Sequence, residues 1–326
     1  MTKINLSDIQ KPISKELQEF EKVFKEQLKS KVPLVDLVAK YVLKQKGKKI
    51  RPLLVLMSAQ LAGGITASSY RGATLVELLH TATLVHDDVV DSAEKRRGLP
   101  SINAVWKNKV AVLMGDYLLS RGLMIAVDNG DFAFLKTITN TVKRMSEGEL
   151  LQISKTKKLN NDEATYFRII GDKTASLLST CCEIGALSAT DDTEKVDAMK
   201  RFGENLGLAF QIRDDVLDYT GNSKVIGKTP GRDIKDKKIT LPLIHALEKA
   251  EKKESSQIIK YIRAGEKNKH VKDVINFVKK YDGIIYADNV ANKYVEKAKE
   301  DLSIFSANNI RASLESLLEY IVNRNK

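Results

Sequence analysis

The sequence predicts an all-α fold, and three observations carry that prediction. Leu, Ala, Lys and Glu, all good helix formers, are abundant, and proline occurs only 6 times in 326 residues. Apolar residues recur at helical spacing through most of the chain. Strand-like alternation bounded by turn pairs is hard to find.

The elements follow in order. Leu17, Phe20, Phe24 and Leu28 predict a helix over 15–29, and Leu34, Leu37, Val38 and Tyr41 one over 33–45. The apolar stretch 52–62 reads as a helix too short to span a bilayer, and it holds Ser58 and Gln60. Segment 72–91 is apolar nearly all round, which predicts a buried helix. Helices over 102–107 and 109–127 follow, then 131–146, marked by Leu135, Ile138, Val142 and Met145. Segment 161–190 reads as one helix, and 195–219 as a second buried one. These two apolar helices, 72–91 and 195–219, are expected at the centre. Shorter patterns predict 240–250, 254–263, 269–280, 284–300 and 308–322.

The length carries a soft prior of about two domains. No Gly/Ser/Pro-rich or low-complexity stretch separates two halves, so one domain over 1–326 is expected. The formal charge of +12 fits either solvated lysine faces or an anionic partner: nucleic acid, acidic lipid or a phosphorylated small molecule. Charge alone does not choose. The two cysteines, Cys181 and Cys182, are adjacent, which suits neither a structural disulfide nor a zinc site. A soluble cytoplasmic protein with no transmembrane segment is expected.

Both central helices end alike. The first closes with "HDDVVD" and the second with "RDDVLD", and each precedes a basic, glycine-containing segment. Asp87 and Asp91 are i and i+4, so they share a helix face and repel each other. They also sit near a helix C-terminus, where negative charge is disfavoured. If the helices pack side by side, Asp87, Asp88, Asp91, Asp214, Asp215 and Asp218 converge and need cations. Carboxylates without thiolates or clustered imidazoles suit a hard ion, and Mg²⁺ shared with substrate phosphates fits best. Lys48, Arg51, Arg96, Arg97, Lys173, Lys228 and Lys238 are candidate phosphate ligands, Arg being suited to bidentate contacts. His80, Thr174 and Gln211 are polar residues placed to face the same mouth.

At these residues the sequence resembles a trans-isoprenyl diphosphate synthase of the polyprenyl synthetase family. The likeness runs from "GKKIRP" through "HDDVVDSAEKRRG", "GDYLLSR", "SEGELLQ", "KTASL" and "FQIRDDVLDYTG" to "GKTPGRDIKDKK". It implies an isoprenoid synthase fold with helices around a deep central cavity, usually as a homodimer. It also implies head-to-tail condensation of an allylic diphosphate with isopentenyl diphosphate. By that resemblance Asp87 and Asp91 ligate two Mg²⁺ ions and Asp214 a third, with Asp88, Asp215 and Asp218 in support. Arg96, Lys173, Lys228 and Lys238 hold the allylic diphosphate, while Lys48, Arg51, His80 and Arg97 bind isopentenyl diphosphate. Thr174 and Gln211 lie beside the reacting carbons, and the released diphosphate takes the final proton.

Product length is read upstream of the first motif. Ala82 lies ~7–8 Å along the helix from Asp87, and both it and Thr83 are small. Family members stopping at farnesyl commonly put aromatic bulk there. The next turn carries Leu78 and Leu79, and Leu119, Leu123 and Met124 offer a deeper floor. A long-chain product of roughly six to eight isoprene units is expected, of the octaprenyl or heptaprenyl type, as a quinone side-chain precursor. Geranylgeranyl or farnesyl diphosphate synthase stays as the alternative. A class I terpene cyclase, a non-catalytic partner subunit and a nucleic-acid-binding helical protein are remoter readings. The second D-D-x-x-D argues against the first two, and an aromatic content of 6% against the last. Contact with a membrane during product release stays open.

Overall fold

A computed structural model describes residues 5–45, 47–221, 231–265 and 269–323. The chain is helical almost throughout. α1 (Leu6–Gln10), α2 (Ser14–Gln27) and α3 (Pro33–Lys44) lead into α4 (Ile50–Ala62) and α5 (Ala67–Val90). α6 (Ile102–Asp128), α7 (Phe132–Lys158), α8 (Glu163–Ile170), α9 (Ser176–Leu187) and α10 (Thr193–Thr220) follow. α11 (Arg232–Lys235), α12 (Leu241–Lys249), α13 (Lys252–Arg263), α14 (Val271–Lys280), α15 (Gly283–Leu302) and α16 (Asn309–Asn323) complete the order.

The long helices begin at side-chain caps. Thr66 and Ser69 form a reciprocal capping box at the start of α5. Ser101 accepts from Ala104 N–H at α6, and Asp192 accepts from Glu194 and Lys195 N–H at α10. α5 and α10 are the central helices, as predicted, buried round most of their circumference. With α4 and α9 they build the main core, where Leu53, Leu56, Met57, Leu75, Phe202 and Leu206 are fully enclosed.

Four local departures from the sequence reading have physical causes. The segments predicted as 102–107 and 109–127 run on as α6, with Lys107 at φ 70°, ψ 164° marking the break between them. α7 extends to Lys158, well past the predicted 146, because its last turns are polar and lack a full apolar stripe. The predicted helix 161–190 is interrupted by a π-turn, Gly171–Ala175. The segment after the first motif folds into a small hairpin, Lys95–Arg96 against Leu99–Pro100. Its two central residues, Arg97 (φ 51°) and Gly98 (φ 81°), both take left-handed backbone, as a type I′ turn requires.

α6 is long and apolar enough to cross a membrane by length and mean hydropathy. One face of it, with Ala111, Met114, Leu118 and Ile125, is buried in the fold. Val105, Val112, Leu113, Met124 and Val127 on the same helix are exposed.

Candidate active site

A cavity of ≈ 730 Å³ lies among α5, α6, α7, α9, α10 and α16. Its deep part is apolar, walled by Leu79, Leu119, Val142, Met145, Leu177 and Phe210. Its polar part carries Asp87, Glu149, Lys173 and Thr174, together with Lys48, Arg51 and His80. Ala82 and Thr83 also line it, and Ala82 is only 2% exposed. Leu123 packs against the main core instead of lining the cavity, Leu78 is buried in another cluster, and Met124 is exposed.

A smaller cavity of ≈ 130 Å³ adjoins the second aspartate motif. Gln211, Asp215, Lys238, Tyr166 and Asp233 line it. Lys173 and Thr174 line both cavities, so the π-turn stands between the two motifs. Thr174 Oγ1 donates to Gln211 Oε1 (3.0 Å), and Gln211 Nε2 donates to Asp215 Oδ1 (2.9 Å). Tyr166 OH donates to the other Asp215 oxygen at 2.7 Å. The Lys173 ammonium pairs with Glu149.

The six aspartates do not all point to one mouth. Successive helix positions are turned by about 100°, so neighbours in a D-D pair face different ways. Asp87 lines the large cavity, and Asp91 caps α5 in an exposed position. Asp88 does not line that cavity and accepts from Arg96 Nε at 2.8 Å. Asp215 is buried against Tyr166 and Gln211, while Asp214 on α10 stays partly exposed. Asp218 accepts from the N–H groups of Arg232 and Asp233, both at 3.0 Å, and so caps α11. Lys238 Nζ stands 3.8 Å from Asp233 and 3.7 Å from Asp236. Lys228 lies outside the described residues. Among the described residues, no three His, Cys, Asp or Glu side chains already enclose one metal position.

The "GKKIRP" turn has a physical basis. Lys49 takes left-handed backbone (φ 52°) at the start of α4, and Pro52 falls in the first turn, where its missing N–H costs nothing. Lys48 Nζ donates to Tyr320 OH at 3.3 Å. Arg51 Nε is buried and has no hydrogen-bond partner among the described residues. Arg97 Nη1 donates to Gln45 O (3.3 Å) and presses on Gly47, where a Cβ would come within 2.6 Å of it.

Burial and charge set the protonation states. Burial holds the His80 imidazole well below its ordinary pKa, and Arg51, Arg97 and Arg96 push the same way, so it is neutral at pH 7. Loss of hydration raises the Asp87 carboxyl; Glu149 and Asp91 add to this, and Lys173 and Arg96 oppose it. Burial also raises Asp218 and Asp215, and it brings Asp233 up to about 6 with help from Asp218. Glu77 is raised by burial although Arg51, Arg97 and Lys49 all draw it down.

Glu149, Tyr166, Asp233 and Tyr320 belong to these cavities, Glu77 lies by Arg51 and Arg97, and none of them was singled out in the sequence. Glu149 lies inside the quoted "SEGELLQ", and Asp233 is an acid in a basic run, so a signal existed for both. Nothing local marks Glu77 or the two tyrosines.

A family model described as Polyprenyl synthetase matches residues 32–279. The chain belongs to that family. As a member of the polyprenyl synthetase family it is a prenyltransferase, an enzyme of isoprenoid biosynthesis. It is 32% identical over 322 residues to the octaprenyl diphosphate synthase of Haemophilus influenzae, covering 99% of this chain and 98% of that one. Its fold is similar to the polyprenyl synthase of Caulobacter crescentus, complexed with calcium and isoprenyl diphosphate (TM-score 0.90, 31% identity, full cover of both chains). It is equally similar to the geranylgeranyl pyrophosphate synthetase of Pyrococcus horikoshii (TM-score 0.90, 31% identity, 98% of this chain, 99% of that one). The prenyltransferase fold therefore does not by itself separate product lengths.

Proposed function

We propose that this prenyltransferase condenses isopentenyl diphosphate head-to-tail with an allylic diphosphate and releases a long-chain all-trans polyprenyl diphosphate. The single observation that carries the reading is the large cavity's division. An acidic and basic end, Asp87, Lys173, Lys48 and Arg51, opens onto a deep apolar shaft. A diphosphate suits the first and a growing isoprenoid chain the second.

The donor set fits a hard divalent cation. Asp87 and Asp91 offer carboxylate oxygens one helical turn apart, and the loss of hydration that raises Asp87, with Glu149 and Asp91 adding to it, is what a bound cation would offset. Asp87, Asp91 and Asp214 are the proposed ligands of Mg²⁺, with three ions per site. When bound, Mg²⁺ withdraws charge from the diphosphate oxygens and so favours loss of the diphosphate from the allylic carbon.

The chain's own residues do the rest. Lys173, with Arg96, Lys228 and Lys238, holds the allylic diphosphate and offsets the charge that develops as the C–O bond breaks. Lys48, Arg51, Arg97 and neutral His80 hold isopentenyl diphosphate so that its double bond faces the cationic carbon. The hydroxyl of Thr174, whose proton is given to the Gln211 amide oxygen, turns its oxygen dipole toward that cation. Leu79, Leu119 and Phe210 keep water from it. The departing diphosphate takes the last proton.

Ala82 and Thr83 leave the shaft open below the first motif, which supports a long product. The exposed apolar residues of α6 support a homodimer, because Val112, Leu113, Met124 and Val127 on one helix suit a second copy of the same face. Free, buried Cys181 and Cys182 fit a cytoplasmic setting.

The test is a Mg²⁺-dependent assay with labelled isopentenyl diphosphate and farnesyl diphosphate, its products sized by reversed-phase chromatography. Long polyprenyl products, lost with EDTA and in Asp87→Ala, are expected. Accumulation of geranylgeranyl diphosphate would sink the long-chain part alone. No condensation with any allylic primer would overturn the enzyme reading.

A further inference from the structure

The Gly171–Ala175 π-turn carries Lys173 and Thr174, which line both cavities. A π-turn holds one residue more than α geometry allows, and such bulges persist where something fixes them. Here the fixing group is Asp172, between Gly171 and Lys173 in the turn. Its carboxylate accepts from Arg144 Nε at 2.8 Å. The same guanidinium reaches across to α10, where Arg144 Nη2 donates to Glu204 Oε1 at 3.0 Å. Ser176 Oγ donates to the Asp172 carbonyl at 2.6 Å.

The backbone approach is close on both sides, and closer on α10. One turn beyond Arg144 on α7, a Cβ at Gly148 would lie 3.0 Å from Asp172 Cβ and 3.1 Å from Lys173 N. On α10, a Cβ at Gly207 would come within 2.5 Å of Ala175 Cα. The next residue of α7, Glu149, pairs with Lys173. Arg144 itself lines neither cavity. Its side chain is 38% exposed and that of Glu204 36%, and pairs so exposed add little to global stability. What a planar fork shared between two carboxylates supplies is orientation.

We propose that Arg144 is a positioning residue: by tying Asp172 to Glu204 it sets the π-turn so that Lys173 and Thr174 face the allylic diphosphate. The inference rests on the proposed role of Lys173 at that diphosphate. It assigns Arg144 an effect on one substrate and none on the other.

The experiment compares wild type, Arg144→Met, Arg144→Lys, Lys173→Ala and the Arg144→Met/Lys173→Ala double variant. Full-length protein is used, both substrates are varied, and melting temperature is recorded. Arg144→Met is expected to raise KM for the allylic diphosphate and lower kcat, each on the order of 10-fold. KM for isopentenyl diphosphate and the melting temperature stay where they are. Arg144→Lys keeps the charge without the fork and recovers part of the loss. In the double variant the Arg144 change adds far less than it does in wild type, because its partner is gone.

Equal rises in both KM values, or losses that multiply fully in the double variant, overturn the proposal. If Arg144→Met melts early, Arg144→Lys carries the same comparison. A raised allylic KM in Lys173→Ala with none in the Arg144 variants overturns this inference alone. An unchanged allylic KM in Lys173→Ala overturns the role of Lys173 and this inference with it.

Discussion

Asp88 and Arg96 pair beside Asp87, with Arg96 Nε donating to Asp88 Oδ1 at 2.8 Å while its guanidinium still draws on the Asp87 carboxyl. Asp87, one residue earlier, lines the large cavity. Adjacent acids of one motif therefore serve different ends. Asp87→Ala is expected to lower kcat by about 100-fold or more with little change in folding, as for removal of one electrostatic stabiliser. Asp88→Ala is expected to cost about 2 kcal/mol of stability by stranding Arg96, and to raise KM for the allylic diphosphate. Steady-state kinetics and denaturant unfolding of the two variants separate these outcomes. Equal kinetic and equal stability effects would contradict the division.

His80 gives a pH signature. Its folded pKa is held below that of the unfolded chain, so below about pH 6.5 the unfolded state binds a proton that the folded state refuses. Stability is thus lost as pH falls through 6.5, by up to about 1.4 kcal/mol per pH unit. Above that pH the imidazole is neutral in both states and contributes no slope. Asp233, raised to about 6, works in the opposite sense between its two pKa values, since there the folded state binds the extra proton. The difference between wild type and His80→Gln isolates the histidine. Melting temperatures from pH 8 to 5 should converge above 7, with wild type losing ground below 6.5.

Gly47 is spaced for Arg97. A Cβ would stand 2.6 Å from Nη1, so Gly47→Ala must displace the guanidinium. KM for isopentenyl diphosphate is expected to rise on the order of 10-fold, by loss of a charge-assisted contact, while the allylic KM holds. Initial rates with each substrate varied in turn check the selectivity. A rise in the allylic KM alone would show that Arg97 serves the other diphosphate.

Ala82→Phe should shorten the product, because the new ring fills the shaft just below the polar end. Thr83→Tyr, at a partly exposed lining position, is the companion variant if a buried ring at 82 impairs folding. Reversed-phase sizing of products reads the change. An unaltered distribution in both would place the floor elsewhere.

Leu113→Glu, with Val112→Glu as a second choice, puts a charge on the exposed face of α6. A shift to monomer mass in sedimentation is expected, with the fold retained by circular dichroism. A wild type that is already monomeric would remove the dimer from the account.

Much of this was legible in the sequence, for reasons that also explain the rest. The helical period and the apolar girth of 72–91 and 195–219 place α5 and α10 at the centre, since a helix apolar all round must be enclosed. Even the break in α6, at Lys107, falls at the last residue of the first of two predicted helices. The facing of Asp88 and Asp215 is a matter of helical angle, and the D-D pairs imply it as soon as one asks which neighbour looks inward. The π-turn is different. It depends on Gly148 and Gly207, which come from helices on either side, and on an arginine 28 residues before Asp172. No local pattern announces that meeting. Tyr166 and Tyr320 likewise reach the site through packing alone.

Lys173 and Thr174 are shared walls between the two cavities. Occupancy on one side that shifts this short stretch of main chain must alter affinity on the other, and linkage makes the influence mutual and equal in free energy.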